Sequence, residues 1–190
     1  GQIDFFDYLG DSWGILFSHP ADFTPVCTTE FVALAKAADQ FAQRECDLMA
    51  LSVDSLFSHF AWLRMIRDRF DVEVRFPIIE DPTLVIGRAY GMVAPGDNDS
   101  ATVRTTFFID PHGVIRAMTC YPANVGRSTS EMLRTLDALQ AVDKDPVLAP
   151  ANWEPGQKLL RQPSAKLDDV FAAKDHTDWF LQEVGRGKRT

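Results

Sequence analysis

Apolar positions fall into short runs between polar turns, and their spacing switches between strand and helix periods. Ile3 to Tyr8 reads as a short strand, followed by a turn at Gly10-Asp11. Trp13 to Ser18 is apolar at nearly every position, as in a strand buried on both faces. From Pro25 to about Arg44 the residues Phe31, Leu34, Ala35, Ala38, Phe41 and Ala42 recur at helical spacing. Leu48 to Val53 has strand length. Asp54 or Ser55 offers an N-cap for a helix with Phe57, Phe60, Ala61, Met65 and Ile66 inward. Phe76 to Ile79 is a strand closed by Glu80-Asp81-Pro82. Thr83 to Tyr90 is a helix stopped by Gly91, and Pro95 to Ser100 is a polar loop. Val103 to Ile109 and Val114 to Cys120 form a hairpin around Asp110-Pro111-His112-Gly113. Ser128 or Ser130 caps a helix to about Val142, with Met132, Leu133, Leu136 and Leu139 inward.

A βαβ unit feeding a ββα unit predicts an α/β fold: a thioredoxin-like mixed sheet flanked by helices. This organisation accounts for residues 1–143. From Lys144 the prolines at 146, 150, 155 and 163 break any long element. Residues 144–190 therefore read as a C-terminal arm with one short helix, Lys166 to Ala173. Its Trp153, Phe171, Trp179 and Phe180 need cover, either from their own domain or from a second subunit.

Composition narrows the function classes. At 190 residues the chain buries roughly 70% of its unfolded surface, enough for a true core. A net charge of −8 argues against a nucleic-acid footprint, which needs clustered positive charge. No apolar run approaches the ~20 residues of a membrane helix. Three cysteines make no disulfide scaffold and point to a reducing compartment, the cytoplasm. His19, His59, His112 and His176 lack metal-ligand spacing, so neither a metal nor another cofactor is expected.

The candidate chemistry lies where the buried strand meets the next helix. Thr24 reads as N-cap and Pro25 as the first helical residue, which puts Cys27 in the first turn. Unpaired N–H groups and the positive end of the helix dipole favour a thiolate there. A lone Cys at a helix start is more often just a small apolar residue. Pro20 and Pro25, which fix the loop, and Thr24, whose hydroxyl can turn toward the sulfur, favour function. No second Cys follows at C-x-x-C spacing, so a dithiol pair at this helix is excluded.

Pro20, Thr24 and Cys27 spell P-x-x-x-T-x-x-C, which resembles the signature of the peroxiredoxins. The run Gly10-Asp11-Ser12-Trp13-Gly14-Ile15-Leu16-Phe17-Ser18-His19-Pro20 resembles their one-cysteine (1-Cys) branch. The likeness continues through Arg104, Tyr121 to Arg127, and Pro150 to Trp153. It implies a thiol peroxidase that reduces hydrogen peroxide and organic hydroperoxides through a cysteine sulfenic acid. In that reading Cys27 is the nucleophile and Arg104 the cation at the breaking O–O bond. Thr24 contacts the peroxide, and Pro20 shields the site. Glu30 and Arg127 orient Arg104, and His19 relays a proton, contacts the sulfur, or holds a loop carbonyl. Taken alone, an Arg at a strand start is more often a surface residue. The resemblance also implies that the arm packs against a second subunit, giving a homodimer able to assemble further.

Two-cysteine relatives carry a resolving Cys where this chain has Val147-Leu148-Ala149-Pro150. Cys46, between Glu45 and Asp47, and Cys120, in an apolar strand, both read as structural. The cycle then needs an external thiol, either a small thiol or a thioredoxin- or glutaredoxin-type protein. A peroxide sensor or holdase chaperone on the same fold is the non-enzymatic alternative. Gly10-Asp11-Ser12-Trp13-Gly14 also matches G-x-S-x-G, but a strand follows where a hydrolase needs a helix. The His and Asp that accompany this Ser in some animal relatives fall on Phe6 and His112, so no base is supplied.

Overall fold

The computed structural model describes residues 1–93, 103–175, 177 and 179–186. The polar loop expected at Pro95 to Ser100 lies outside them. The chain divides into two compact units, Gly1–Thr129 and Ser130–Thr190.

The first unit opens with a helix, α1 (Phe5–Leu9), where the sequence pattern suggested a strand. Asp4 decides this, because its carboxylate accepts from the Phe6 and Asp7 N–H groups and caps the helix. Gly10, at φ 53°, closes it. Gly14 leaves the space into which the Leu9 side chain seats, and a Cβ there would lie 2.8 Å from Leu9 Cδ1.

Next come β1 (Trp13–Ser18), α2 (Pro25–Lys36), α3 (Ala38–Ala42), β2 (Cys46–Ser52), α4 (Leu56–Phe70), β3 (Ile78–Glu80), α5 (Val85–Ala89), β4 (Arg104–Ile109) and β5 (Ile115–Tyr121). The single helix expected to run to about Arg44 is thus two, divided at Ala37 (φ −95°, ψ 2°). The five strands lie in the order β3-β2-β1-β4-β5. The β1–β2 and β2–β3 pairs are parallel, while β1–β4 and β4–β5 are antiparallel. β1 and β4 are buried at every residue, as central strands between two helical layers must be.

Side chains alternate between two cores. On one face Phe17 of β1 meets Phe31 of α2 and Phe76 edge-on, and Phe31 meets Trp62 of α4 at 4.5 Å. On the other, Leu16, Met49, Leu51, Phe107 and Ile109 cluster with Met92. Phe5, Tyr8, Ile86 and Tyr90, from α1 and the α5 region, cover that cluster. The sheet is mixed and flanked by helices, as the element order predicts.

The phase of α4 differs from the sequence reading. Its buried stripe is His59, Trp62 and Ile66, whereas Phe57 and Phe60 are 78% and 58% exposed. Bulk and apolarity favour the two phenylalanines, but the positions three and seven after His59 share the inward face.

The second unit contains α6 (Thr129–Lys144), β6 (Val147–Leu148), β7 (Lys158–Arg161), α7 (Leu167–Phe171) and β8 (Glu183–Arg186). β6, β7 and β8 form an antiparallel sheet that the proline-rich sequence did not suggest. Trp153 is buried, and its indole donates to Gln157 O at 3.3 Å. Phe171, Trp179 and Phe180 stay exposed. No helix among the described residues is long and apolar enough to cross a membrane.

Candidate active site at the start of α2

β1 delivers the chain to a loop, His19 to Phe23, that turns into α2. Thr24 is the N-cap residue with extended backbone (φ −94°, ψ 149°), and Pro25 follows at N1. Cys27 lies in the first turn, completely buried. The Thr24 hydroxyl does not cap the helix; it donates to Ala21 O at 2.9 Å. With its proton committed, that oxygen is an acceptor toward anything else in the site. Phe23 is left-handed at φ 56°, a conformation that costs a bulky residue roughly 1–2 kcal/mol. Pro20 is half-buried in the same loop.

Arg104 starts β4, is 1% exposed, and is anchored on three sides. Its Nε and Nη2 donate to Ala123 O at 3.1 and 2.8 Å. Nη1 donates to Glu30 Oε2 at 2.7 Å and to Cys27 Sγ at 3.2 Å. Glu30 sits one turn beyond Cys27 on α2, between two guanidinium groups. Arg127 donates to Glu30 Oε1 through its backbone N–H and Nε, at 2.7 and 2.9 Å, and to Oε2 through Nη2 at 2.8 Å. Arg127 Nη1 reaches Thr105 O and Thr106 Oγ1, and its guanidinium stacks 4.9 Å from the Phe17 ring.

The cluster holds more positive than negative side-chain charge, with Glu30 as its carboxylate. Two guanidinium groups face one carboxylate and one sulfur, all buried, and an uncompensated buried charge is costly. Burial alone would raise the Glu30 pKa, but hydrogen bonds and charge from Arg127, with Arg104 behind, hold it below the usual carboxylate range.

His19 Nε2 meets Asp22 Oδ1 at 2.9 Å, a partner the sequence reading did not foresee. The other oxygen of Asp22 meets His59 Nδ1 of α4 at 2.7 Å. Burial pushes the His19 pKa below 6.5, against the pull of Asp22 and assisted by His59 and Arg127. Asp22 also suffers from burial, but the two imidazoles hold it at about 2. The sequence reading missed Asp22 and His59. The helical spacing of His59 with Trp62 and Ile66 was the available signal, concealed by the nearby phenylalanines. His19, Asp22 and Asp54 bring one ligand atom each within 4.8 Å of one another. Those of Asp22 and Asp54 are already engaged in hydrogen bonds with the histidines and the loop.

The remaining cysteines differ from one another. Cys46 is buried, and burial with the neighbouring Asp47 pushes its thiol up. Cys120, read as a structural residue of an apolar strand, is exposed on edge strand β5. Around Ser12 a helix precedes and a strand follows, the reverse of a hydrolase elbow.

Residues 1–118 match the AhpC/TSA family, and residues 138–174 match the C-terminal domain of 1-Cys peroxiredoxin. A peroxiredoxin of Aquifex aeolicus is 48% identical over 95% of this chain and 88% of its own. Among solved structures, a yeast mitochondrial 1-Cys peroxiredoxin, described as resolved via glutathione/thioredoxin systems, shares 44% identity. It superposes with a TM-score of 0.85 over 96% of this chain and 91% of its own. Peroxiredoxin 6 of Arenicola marina gives a TM-score of 0.87 at 32% identity, over all of this chain and 92% of its own.

Proposed function

We infer the roles of the site residues from one premise: the chain belongs to the AhpC/TSA family, among its 1-Cys peroxiredoxins, and is a thiol-dependent peroxidase. The Cys27 thiolate attacks the hydroxyl oxygen of a peroxide. The S–O bond forms as the O–O bond breaks, Cys27 becomes a sulfenic acid, and the departing oxygen leaves as water or alcohol after taking a proton. One external thiol condenses with the sulfenic acid, releasing water and forming a mixed disulfide. A second thiol attacks that disulfide, leaving as the external disulfide and freeing the Cys27 thiol.

Ionisation is only part of the acceleration. Going from a few per cent thiolate to full ionisation at pH 7 gains about thirtyfold, or about 2 kcal/mol. The larger share comes from stabilising negative charge on the leaving oxygen. The observation that carries this reading is Arg104 Nη1 at 3.2 Å from Cys27 Sγ, with the rest of the guanidinium fixed on Ala123 O and Glu30. Arg104 serves as the cation, Thr24 accepts the peroxide O–H, and Val26 and Cys27 add backbone N–H groups in the helix's first turn. Pro20 keeps water out. Glu30 and Arg127 hold Arg104 in place. Peroxide consumption driven by dithiothreitol tests this: Cys27→Ser is expected to abolish it, and full activity in that variant would refute the assignment.

The proposed reductant is an external thiol, small or of thioredoxin or glutaredoxin type. Cys46 is buried away from such chemistry, and all three cysteines are free. The proposed assembly is a homodimer able to build further. Phe171, Trp179, Phe180 and Leu181 support it, since these exposed apolar side chains need cover. Sedimentation velocity tests it, and a monomer at micromolar concentration would reject it. Free thiols throughout support a reducing compartment such as the cytoplasm, testable by fractionation.

A further inference from the structure

Two polar side chains on the buried face of α4 reach the active-site loop. Trp62 Nε1 donates to Thr28 Oγ1 at 3.1 Å, and that hydroxyl donates to Thr24 O at 2.7 Å. Three residues earlier on the helix, His59 Nδ1 meets Asp22 Oδ2 at 2.7 Å. Asp22 is held further by its own N–H, which donates to Asp54 Oδ2 at 2.8 Å, and by His19 on its other oxygen. The loop between β1 and α2 is therefore strapped to α4 at both ends.

We propose that His59 is a positioning residue of the peroxide site: acting through the Asp22 carboxylate, it fixes His19 and the loop bearing Pro20 and Thr24 in the geometry that receives the peroxide. This rests on the peroxidase reading of Cys27.

An ionised carboxylate can only accept hydrogen bonds. The imidazole nitrogens that meet Asp22 must then carry protons, so His19 bears one on Nε2 and His59 one on Nδ1. This is the orienting logic by which a carboxylate fixes a histidine for work done by its other nitrogen. The His19 ring is also wedged edge-on to Phe31 at 4.8 Å and against Trp62 at 5.3 Å, so it has little freedom to turn. The charged and titratable groups around it include Asp22, Asp54, His59 and Arg127. Phe23 adds a second argument. An exposed phenylalanine in a left-handed conformation persists only where its neighbours dictate it. Asp22, the adjacent residue, is the one tied to α4. A buried imidazole is also an expensive way to fill a helix–sheet interface that leucine would fill on shape alone.

The test compares two reactions of Cys27 in the full chain. Reduction of hydrogen peroxide needs an oriented substrate, whereas alkylation by iodoacetamide needs only an accessible thiolate. For His59→Leu the peroxide rate constant is expected to fall about ten- to a hundredfold while alkylation stays within about twofold. In His59→Asn the amide nitrogen can take the place of Nδ1, and most of the peroxide rate should return. Asp22→Asn, which offers one acceptor oxygen to two imidazoles, should show the same split as His59→Leu and guards against a leucine variant that does not fold. Wild-type peroxide rates in both His59→Leu and Asp22→Asn would overturn the proposal. So would both reactions falling in parallel in every variant, the mark of a purely structural strap. Activity surviving Cys27→Ser would instead remove the premise, and the proposal with it.

Discussion

The Cys27 sulfur lies 3.2 Å from Arg104 Nη1, although 77 residues of chain separate them. The guanidinium is already in place before a peroxide arrives, held by Ala123 O on one edge and Glu30 on the other. Groups fixed in advance need no reorganisation when charge develops.

Arg104→Lys keeps the charge but loses the fork. An ammonium on a flexible stem cannot occupy Ala123 O, Glu30 and the sulfur together. The rate of Cys27 with hydrogen peroxide is expected to fall about 100- to 1000-fold, and further in Arg104→Ala. Stopped-flow tryptophan fluorescence measures it. An unchanged rate in the lysine variant would show that only charge matters.

Glu30→Gln removes the one carboxylate between two buried guanidinium groups. Breaking a buried pair by deleting one partner costs about 3–5 kcal/mol, because the remaining charge stays buried. Urea unfolding should register a loss of that order, together with a slower peroxide reaction. A loss near zero would mean that the cluster does not organise the fold around Cys27.

Acid should weaken the fold in two windows. His19 is held below 6.5 in the folded state, so the unfolded chain binds its proton first. Stability therefore falls as pH drops below about 6.5. Asp22 sits at about 2 instead of 3.8, so its contribution is present above about pH 4 and is lost as pH falls toward 2. Buried as it is, Asp22 accounts for on the order of 2–3 kcal/mol at ~1.4 kcal/mol per pKa unit. Urea midpoints at pH 7.5, 5.5 and 3.5 should descend in order, and Asp22→Asn should flatten the lower step. A midpoint rising on acidification would contradict both assignments.

Peroxide-treated protein, examined by mass spectrometry under non-reducing conditions, should carry oxidised Cys27 and no stoichiometric disulfide to Cys120 or to a second subunit. Cys46→Ser and Cys120→Ser should retain the wild-type peroxide rate. Cys120 is exposed and so can react with added reagents, which makes its variant the needed control. A Cys27–Cys120 bond would convert the proposed one-cysteine cycle into a two-cysteine one.

The nucleophile was legible because its signals are local. Pro20, Thr24, Pro25 and Cys27 sit within eight consecutive residues, and N-cap and N1 preferences place the sulfur in the first turn without knowledge of the rest. Arg104, Glu30 and Arg127 came from family resemblance, since no local rule separates them from surface residues. The helix at Phe5–Leu9 was misread because the capping carboxylate of Asp4 outweighed a short apolar alternation. The three-stranded sheet of the second unit was missed because its strands are two to four residues long and far apart in sequence.

Sequence alone determined the order of strands and helices from β1 to α6, with α2 and α3 read as one helix, the buried character of β1, and the place of Cys27 at a helix start. All of these follow from periodicity and capping over one or two turns of chain. Tertiary structure decided which charges meet the sulfur and which face of α4 turns inward. It brought Arg104, Glu30 and Arg127 to one buried point and set Asp22 between two histidines 40 residues apart. Buried charges and imidazoles are chosen by the partners that satisfy them, and those partners come from distant parts of the chain.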